Sequence, residues 1–439
     1  MKGSCKTIIL LFLAASLLAF NTTFVQANVL IQQQNLTYKG AFRVPRGYLG
    51  GDSKIWTMGS GGRGITYNPA NNSLILSGSN KEKLAIEISV PTPIISTNIT
   101  SLNTASVLQV PGNVTNGMWN YLQADGSYTE NGGSVGSFLV YNNKLIGNVY
   151  AYYAEDTSGY VSHFTASLNW ATTGSNFSGF KRVGINPVSS VAANGGWVGG
   201  FMCLVPSDWR AKLGYTALTG NGAIPIINRS SMGPSIWGFS PDDIGTKEPI
   251  FAEIYTGYTA DHPTIGSYAT GSLQYNLVTS LAGMVFPAGS DSVLVFGGHG
   301  LGEDGKGKGC YGQGTSDPAL HRTPYEGTIY CYDPGDLNKG GHAYPYVYQV
   351  WAYDAKDFLD VKNGIKKYWE IVPYSYWSFT LPFSPSKKVL GGVAYDPRSQ
   401  RLFVSQLSSD FLADQYEPNP IIHVFSLDLK PSPAIINIQ

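Results

Sequence analysis

Three observations predict an all-β fold of the β-propeller type. A hairpin signature recurs along the whole chain. Glycine (52) and tyrosine (28) are abundant while charged residues make up only 13%, a composition suited to short strands and tight turns. Helical periodicity is weak throughout.

The hairpin is clearest in two stretches. Gly64-Ile-Thr-Tyr67 leads through an Asn-Pro turn to Leu74-Ile-Leu-Ser77, and Gly392-Val-Ala-Tyr395 leads through an Asp-Pro turn to Leu402-Phe-Val-Ser405. Gly283–Phe286 and Val293–Phe296 keep the same seven-residue step. Ser137 to Ile146 and Gly200 to Leu213 are looser copies. Two apolar runs around a Pro/Gly/Asn/Ser turn are a β-hairpin. A third strand follows several of them: Ile86–Val90, Ile236–Phe239, Trp351–Asp354 and Val424–Asp428, with Ile329–Asp333 as a further relative. Hairpin, third strand and turn, repeated, describe the blades of a propeller. A β-helix needs a shorter and stricter period, and a sandwich has no reason to repeat one hairpin over its full length. Ala355 to Lys367 is short and rich in Asp and Lys, and is expected to be a loop or a single turn.

Five hairpins over about 395 residues leave nearly 80 per blade, against a usual repeat of about 40–50. Either the blades carry long insertions or some are too divergent to recognise. The reading favours seven blades, with five or six as alternatives. Leu36 to Val44 is expected to complete the C-terminal blade and close the ring, which removes exposed edges.

The N-terminus has the pattern of a cleaved signal peptide over residues 1–27. Lys2 and Lys6 precede an apolar run from Ile8 to Phe20, and Val25-Gln26-Ala27 presents small residues at the cleavage positions. The run is about 13 residues, short of the roughly 20 that span a bilayer. Residues 28–439 are therefore expected to be one exported propeller domain without a transmembrane segment, either extracellular or periplasmic. Six Asn-x-Ser/Thr sequons, at Asn35, Asn71, Asn98, Asn113, Asn176 and Asn228, are acceptors if the host glycosylates them. In the exported part, Cys310 and Cys331 bracket a Gly-rich stretch and are expected to form a disulfide. Cys203 lies in an apolar run and is expected to be a buried thiol.

Lys plus Arg and Asp plus Glu are balanced at 29 each, with no clustered basic face. That argues against nucleic acid as a partner. No Cys pair has zinc-finger spacing, no EF-hand pattern is present, and no metal site or cofactor can be named from the sequence.

The most unusual segment runs from Gly297 to Cys331. It is longer than a hairpin needs, and long loops in compact domains are usually functional or disordered. It contains His299, Tyr311, His321 and Arg322. These residue types could supply the base, the acid and the cation that β-elimination of an acidic polysaccharide requires. Glu303, Asp304 and Glu326 could instead supply the carboxylate pair of a glycoside hydrolase, although neighbouring acids in a Gly-rich stretch are more often simply solvated. Arg63, His262 and His342 lie in loops and are candidates for substrate binding. His163 and His423 lie in alternating strands and are expected to be structural. Two functional readings follow. One is a secreted propeller acting on extracellular polysaccharide, as a lyase or glycoside hydrolase. The other is a non-catalytic propeller that binds carbohydrate or protein, which explains the aromatic content equally well.

Overall fold

The computed structural model describes residues 29–50, 57–79, 83–129, 132–151, 159–185, 193–222, 230–258, 261–267, 270–383, 385 and 388–429. The expected signal peptide and the Asn228 sequon lie outside these residues. The fold is mostly β and of the propeller type. Five antiparallel meanders follow one another along the chain. Blade 1 comprises Thr66–Asn68, Ser73–Ser77, Ala85–Ser89 and Val107–Gly112. Blade 2 has three strands, Gly133–Tyr141, Lys144–Ala151 and His163–Ser167. Blade 3 comprises Phe201–Leu204, Ala217–Asn221, Ser235–Phe239 and Glu253–Thr256. Blade 4 comprises Ser280–Val285, Ser292–Gly300, Tyr346–Asp354 and Ser375–Phe379. Blade 5 comprises Leu390–Asp396, Arg401–Asp410 and Asn419–Leu427, and takes Leu36–Arg43 as its outer strand.

The first strands of the blades touch in the cycle 1-2-3-4-5-1. Each seam between neighbouring blades has its own buried cluster. Phe201, Trp209, Tyr255 and Trp351 fill the seam between blades 3 and 4, and Phe42, Leu74, Ile86 and Phe403 fill that between blades 5 and 1. The described residues thus hold five meanders rather than the seven favoured from sequence. The surplus length goes into loops and into a separate sheet carried by blade 4. That sheet consists of Cys310–Thr315, Pro324–Tyr325, Thr328–Tyr332 and Lys339–His342.

Several local expectations change with the structure. Ile329–Asp333 is not a third strand of a blade, because its strand belongs to the inserted sheet. Gly200–Leu213 is not a hairpin. Phe201–Leu204 is followed by a helix, Ser207–Leu213, and pairs instead with Ala217–Asn221. Ala355–Lys362 is a two-turn helix, capped by the Asp354 carboxylate accepting from the Lys356 N–H, with Phe358 buried against the seam. No helix among the described residues is long and apolar enough to cross a membrane.

Glycine dictates how closely the blades approach. Gly64 N–H donates to the Gly391 carbonyl (2.8 Å), and Phe138 N–H donates to the Gly64 carbonyl (2.9 Å), so the innermost strands of blades 5, 1 and 2 are bonded backbone to backbone. A Cβ on Gly136 would lie 1.8 Å from the Gly199 carbonyl oxygen, and one on Gly391 would lie 2.1 Å from that of Gly62. No side chain fits at either place.

The N-terminal strand pairs along its length with Asn419–Leu427. Buried Arg43 locks it in place: its Nε and Nη2 donate to the two carboxylate oxygens of buried Asp410 (2.7 and 2.9 Å). A second tie runs through polar side chains. Tyr38 meets His423 Nδ1 (3.1 Å), His423 Nε2 meets Gln406 Oε1 (2.8 Å), and the Gln406 amide donates to Tyr348 of blade 4 (2.9 Å). His163 is likewise buried, between Ser162 and Thr219 (2.8 and 2.9 Å). Both histidines are structural.

Two outcomes follow. Gly136→Ala forces two backbones apart and should destabilise the protein by about 1–3 kcal/mol, measured by denaturant unfolding. Burial also lowers the pKa of His163 and His423 to about 3 and of His299 to about 4, against about 6.5 in an unfolded chain. Below pH 6.5 the unfolded chain takes up protons that the fold refuses, so stability is full above that pH and falls as pH drops towards 4. The loss approaches roughly 1.4 kcal/mol per pH unit for each histidine. Thermal unfolding between pH 7 and 4 should show the decline, and His423→Gln should make it shallower.

Candidate functional site

The inserted sheet leaves blade 4 after Gly300 and returns at Tyr346. These two residues remain register partners, so the blade is continuous beneath it. The insertion is held together locally. Asp304 Oδ1 accepts from the N–H groups of Lys306 (2.8 Å) and Lys308 (3.2 Å), folding the Gly-rich segment back on itself. Pro324–Tyr325 and Thr328–Tyr332 form a hairpin whose turn residues, Glu326 and Gly327, both have positive φ (39° and 78°), as a two-residue hairpin turn requires. Cys310 and Cys331 are disulfide-bonded, as expected, with their Cα atoms 5.8 Å apart.

Glu303 is the electrostatic centre of the insertion. Arg322 grips it in a bidentate pair (Nε to Oε2 2.9 Å, Nη2 to Oε1 2.7 Å), Lys308 Nζ lies 2.7 Å from Oε1, and His321 Nε2 lies 2.5 Å from Oε2. Arg322 adopts the left-handed conformation (φ +64°), uncommon for a residue with a side chain. The hydrogen bond from Arg322 is the main reason that the Glu303 carboxyl titrates at about 2; Lys308 and His321 add to it against the opposing effect of desolvation. The carboxyl is therefore ionised at neutral pH and holds no proton to donate. His321 is committed at both nitrogens, because Nδ1 accepts from the Tyr332 N–H (2.9 Å).

A pocket of about 310 Å³ opens beside this cluster. Glu303, Lys308, His321 and His342 contribute polar groups to it, and Tyr332 and Tyr344 contribute rings. His342 is buried, with Nδ1 facing Asp333 Oδ2 (2.9 Å) and Nε2 facing the Asn338 carbonyl (3.1 Å). Asp333 also accepts from the Tyr346 hydroxyl and from the N–H groups of Gly335 and Asp336. Its burial pushes the carboxyl pKa up, but the bonds from His342 and Tyr346 outweigh this and hold it below the usual value. Each of these charged groups thus already has its partners within the protein.

The structure brings together only part of the set expected from sequence. His321 and His342 line the pocket, and Arg322 stands behind His321 on Glu303. His299 does not join them: it is buried in the second strand of blade 4, its Nδ1 against Thr279 Oγ1 (2.9 Å) and its ring edge-on to Trp351. Tyr311 is exposed and does not line the pocket, since strand alternation puts its neighbour Cys310 there instead. Arg63 does not line the pocket; its backbone pairs with Ser77 of blade 1. His262 organises its own turn, its Nδ1 accepting from the N–H groups of Thr264 and Ile265 (both 3.2 Å). Lys308, Tyr332 and Tyr344 were missed; the aromatic and proline run from His342 to Tyr346 was the available signal. Among the described residues no group of three or more His, Cys, Asp or Glu is arranged to hold a metal ion.

No family model and no curated protein matches this chain. Solved structures resemble it loosely. A Bacteroides ovatus protein provisionally described as a glycoside hydrolase aligns over 84% of this chain and 87% of its own, at 7% identity and a TM-score of 0.39. A gluconolactonase from Xanthomonas campestris aligns over 89% and 99%, at 7% identity and a TM-score of 0.33. The β-propeller domain of Cps50 (Swd1) from Myceliophteria thermophila aligns over 81% and 67%, at 8% identity and a TM-score of 0.28.

The Glu303 cluster has a defined acid limit. With the folded pKa at about 2 and an unfolded value of about 4.3, its contribution is complete above pH 4.3 and is lost as pH falls towards 2. Hydrogen exchange of the amides of 303–332 should be steady from pH 7 to 5 after correction for the intrinsic rate, and should rise below pH 4. Glu303→Gln should raise it already at pH 7.

Proposed function

We propose that this chain is an exported propeller that binds glycans, and that the pocket of the inserted sheet is its binding site. One observation carries the reading: the charged groups at the pocket are already paired with one another. Glu303 accepts from Arg322, Lys308 and His321, both nitrogens of His321 are engaged, and His342 is tied to Asp333. Such an arrangement holds side chains rigid and presents them to a ligand. It does not supply a general acid that releases a proton or a general base that takes one. Tyr332 and Tyr344 give rings against which a sugar can pack, and Lys308 gives a polar rim. The disulfide that pins the site is of the kind that persists in oxidising compartments, in keeping with export. Turnover of polysaccharide as a lyase or hydrolase has less support, because His299 and Tyr311 stand away from His321.

The test is a panel of neutral and acidic polysaccharides given to the purified protein. The expected outcome is saturable retention on at least one of them, with no new reducing ends and no absorbance from unsaturated uronic acid. Tyr344→Ala should weaken retention about tenfold or more, corresponding to the loss of at least about 1.4 kcal/mol. New ends accompanied by absorbance would establish a lyase, and new ends alone a hydrolase; either would overturn the reading. Retention unchanged in Tyr344→Ala would move the site elsewhere.

A further inference from the structure

We propose that the axial channel of the propeller is a second, separate binding site, for a small amphiphile with a hydrocarbon body and a single anionic head. A cavity of about 300 Å³ lies on the axis, and the first strand of each of the five blades contributes to its wall. Ile65, Phe138, Val140, Met202, Met284 and Phe286 are representative of the lining, which is mostly apolar. Each of these strands is the inner edge of its sheet and pairs with a sheet neighbour on one side only. The apolar side chains of the lining accommodate hydrocarbon; an engineered apolar cavity of about 150 Å³ already takes up benzene. This volume is at the lower end of the range for ligand sites, which indicates a compact ligand.

The anionic head follows from the rim. Arg210, on the helix Ser207–Leu213, lines the cavity and is exposed. Its Nε donates to the Val205 carbonyl (2.8 Å), which fixes the guanidinium in place. Among the described residues no carboxylate lies within ion-pair distance of it. The other charges nearby are already engaged. Asp242 accepts from Tyr141 (2.6 Å) and Asn142 (3.1 Å), and Arg398 sits 3.7 Å from Asp396 while donating to the Tyr67 hydroxyl (2.6 Å). Arg210 is therefore the cation with which a carboxylate at the mouth would pair, with its chain lying along the axis. Nothing in this site is shared with the pocket of the inserted sheet.

Calorimetric titration of the purified protein with decanoate tests the assignment, with octanoate and decanol as companions. Decanoate should bind saturably at one site. Octanoate should bind roughly tenfold more weakly, for two methylenes fewer. Arg210→Gln should weaken decanoate about tenfold and leave decanol unchanged. Ala394→Phe, which fills the channel from blade 5, should abolish both; Val140→Trp does the same from blade 2 should the first variant fail to fold. Glycan retention should survive every variant, which separates this site from the other. No saturable decanoate binding, or binding that persists in a folded channel-filling variant, would overturn the proposal. Equal decanoate affinity in Arg210→Gln would overturn the anionic head.

Discussion

The close approach of backbones at the inner seams governs this structure. Gly64 bonds to Gly391 on one side and to Phe138 on the other, and neither Gly136 nor Gly391 has room for a Cβ. Because the inner strands can come this near, each blade packs its apolar face on the next and five buried clusters fill the seams. The width of the axial channel is set by the same approach. A ring assembled this way has one break, between blades 5 and 1. The N-terminal strand bridges it by joining blade 5, and the Arg43–Asp410 pair holds it there. Removing one partner of a buried pair leaves a bare charge, so closure and ion pair depend on each other.

Blade 4 shows how much can be added without disturbing that ring. The insertion between Gly300 and Tyr346 begins and ends on paired residues, so it acts as an appendage with its own bonds. It is too small to bury a large core, and it relies instead on a disulfide, tight turns and two polar knots, one around Glu303 and one around Asp333. The same knots shape the pocket. A carboxylate held by Arg322, Lys308 and His321 is fixed in position, which supports the proposed role in recognition.

Much of the fold was legible. The seven-residue step from Tyr67 to Leu74 and from Tyr395 to Leu402 marks true hairpins, and Leu36–Arg43 does close blade 5. The blade number was not legible, because insertions stretch the repeat and the inserted Thr328–Tyr332 imitates a blade strand in its alternation. Gly200–Leu213 misled for a similar reason: an apolar strand followed by Trp209 and Leu213 looks like a second strand, yet those residues are buried from one side of a short helix. At the site, His299 and His321 lie along one glycine-rich stretch, but one is bonded to Thr279 inside the protein and the other to Glu303.

The sequence alone determined the features that local patterning encodes: alternating strands, Pro and Asn turns, the glycine at the head of each hairpin, and a cysteine pair close enough to join. These depend on neighbours a few residues away, whose steric and hydrophobic preferences are written in order along the chain. The tertiary structure alone decided what depends on distant partners. It fixed how many meanders the described residues hold, which side of a strand Tyr311 faces, and that Glu303 would meet Lys308, His321 and Arg322 together. It also created an apolar channel with Arg210 at its mouth, since a cavity belongs to five strands at once and is encoded in none of them singly.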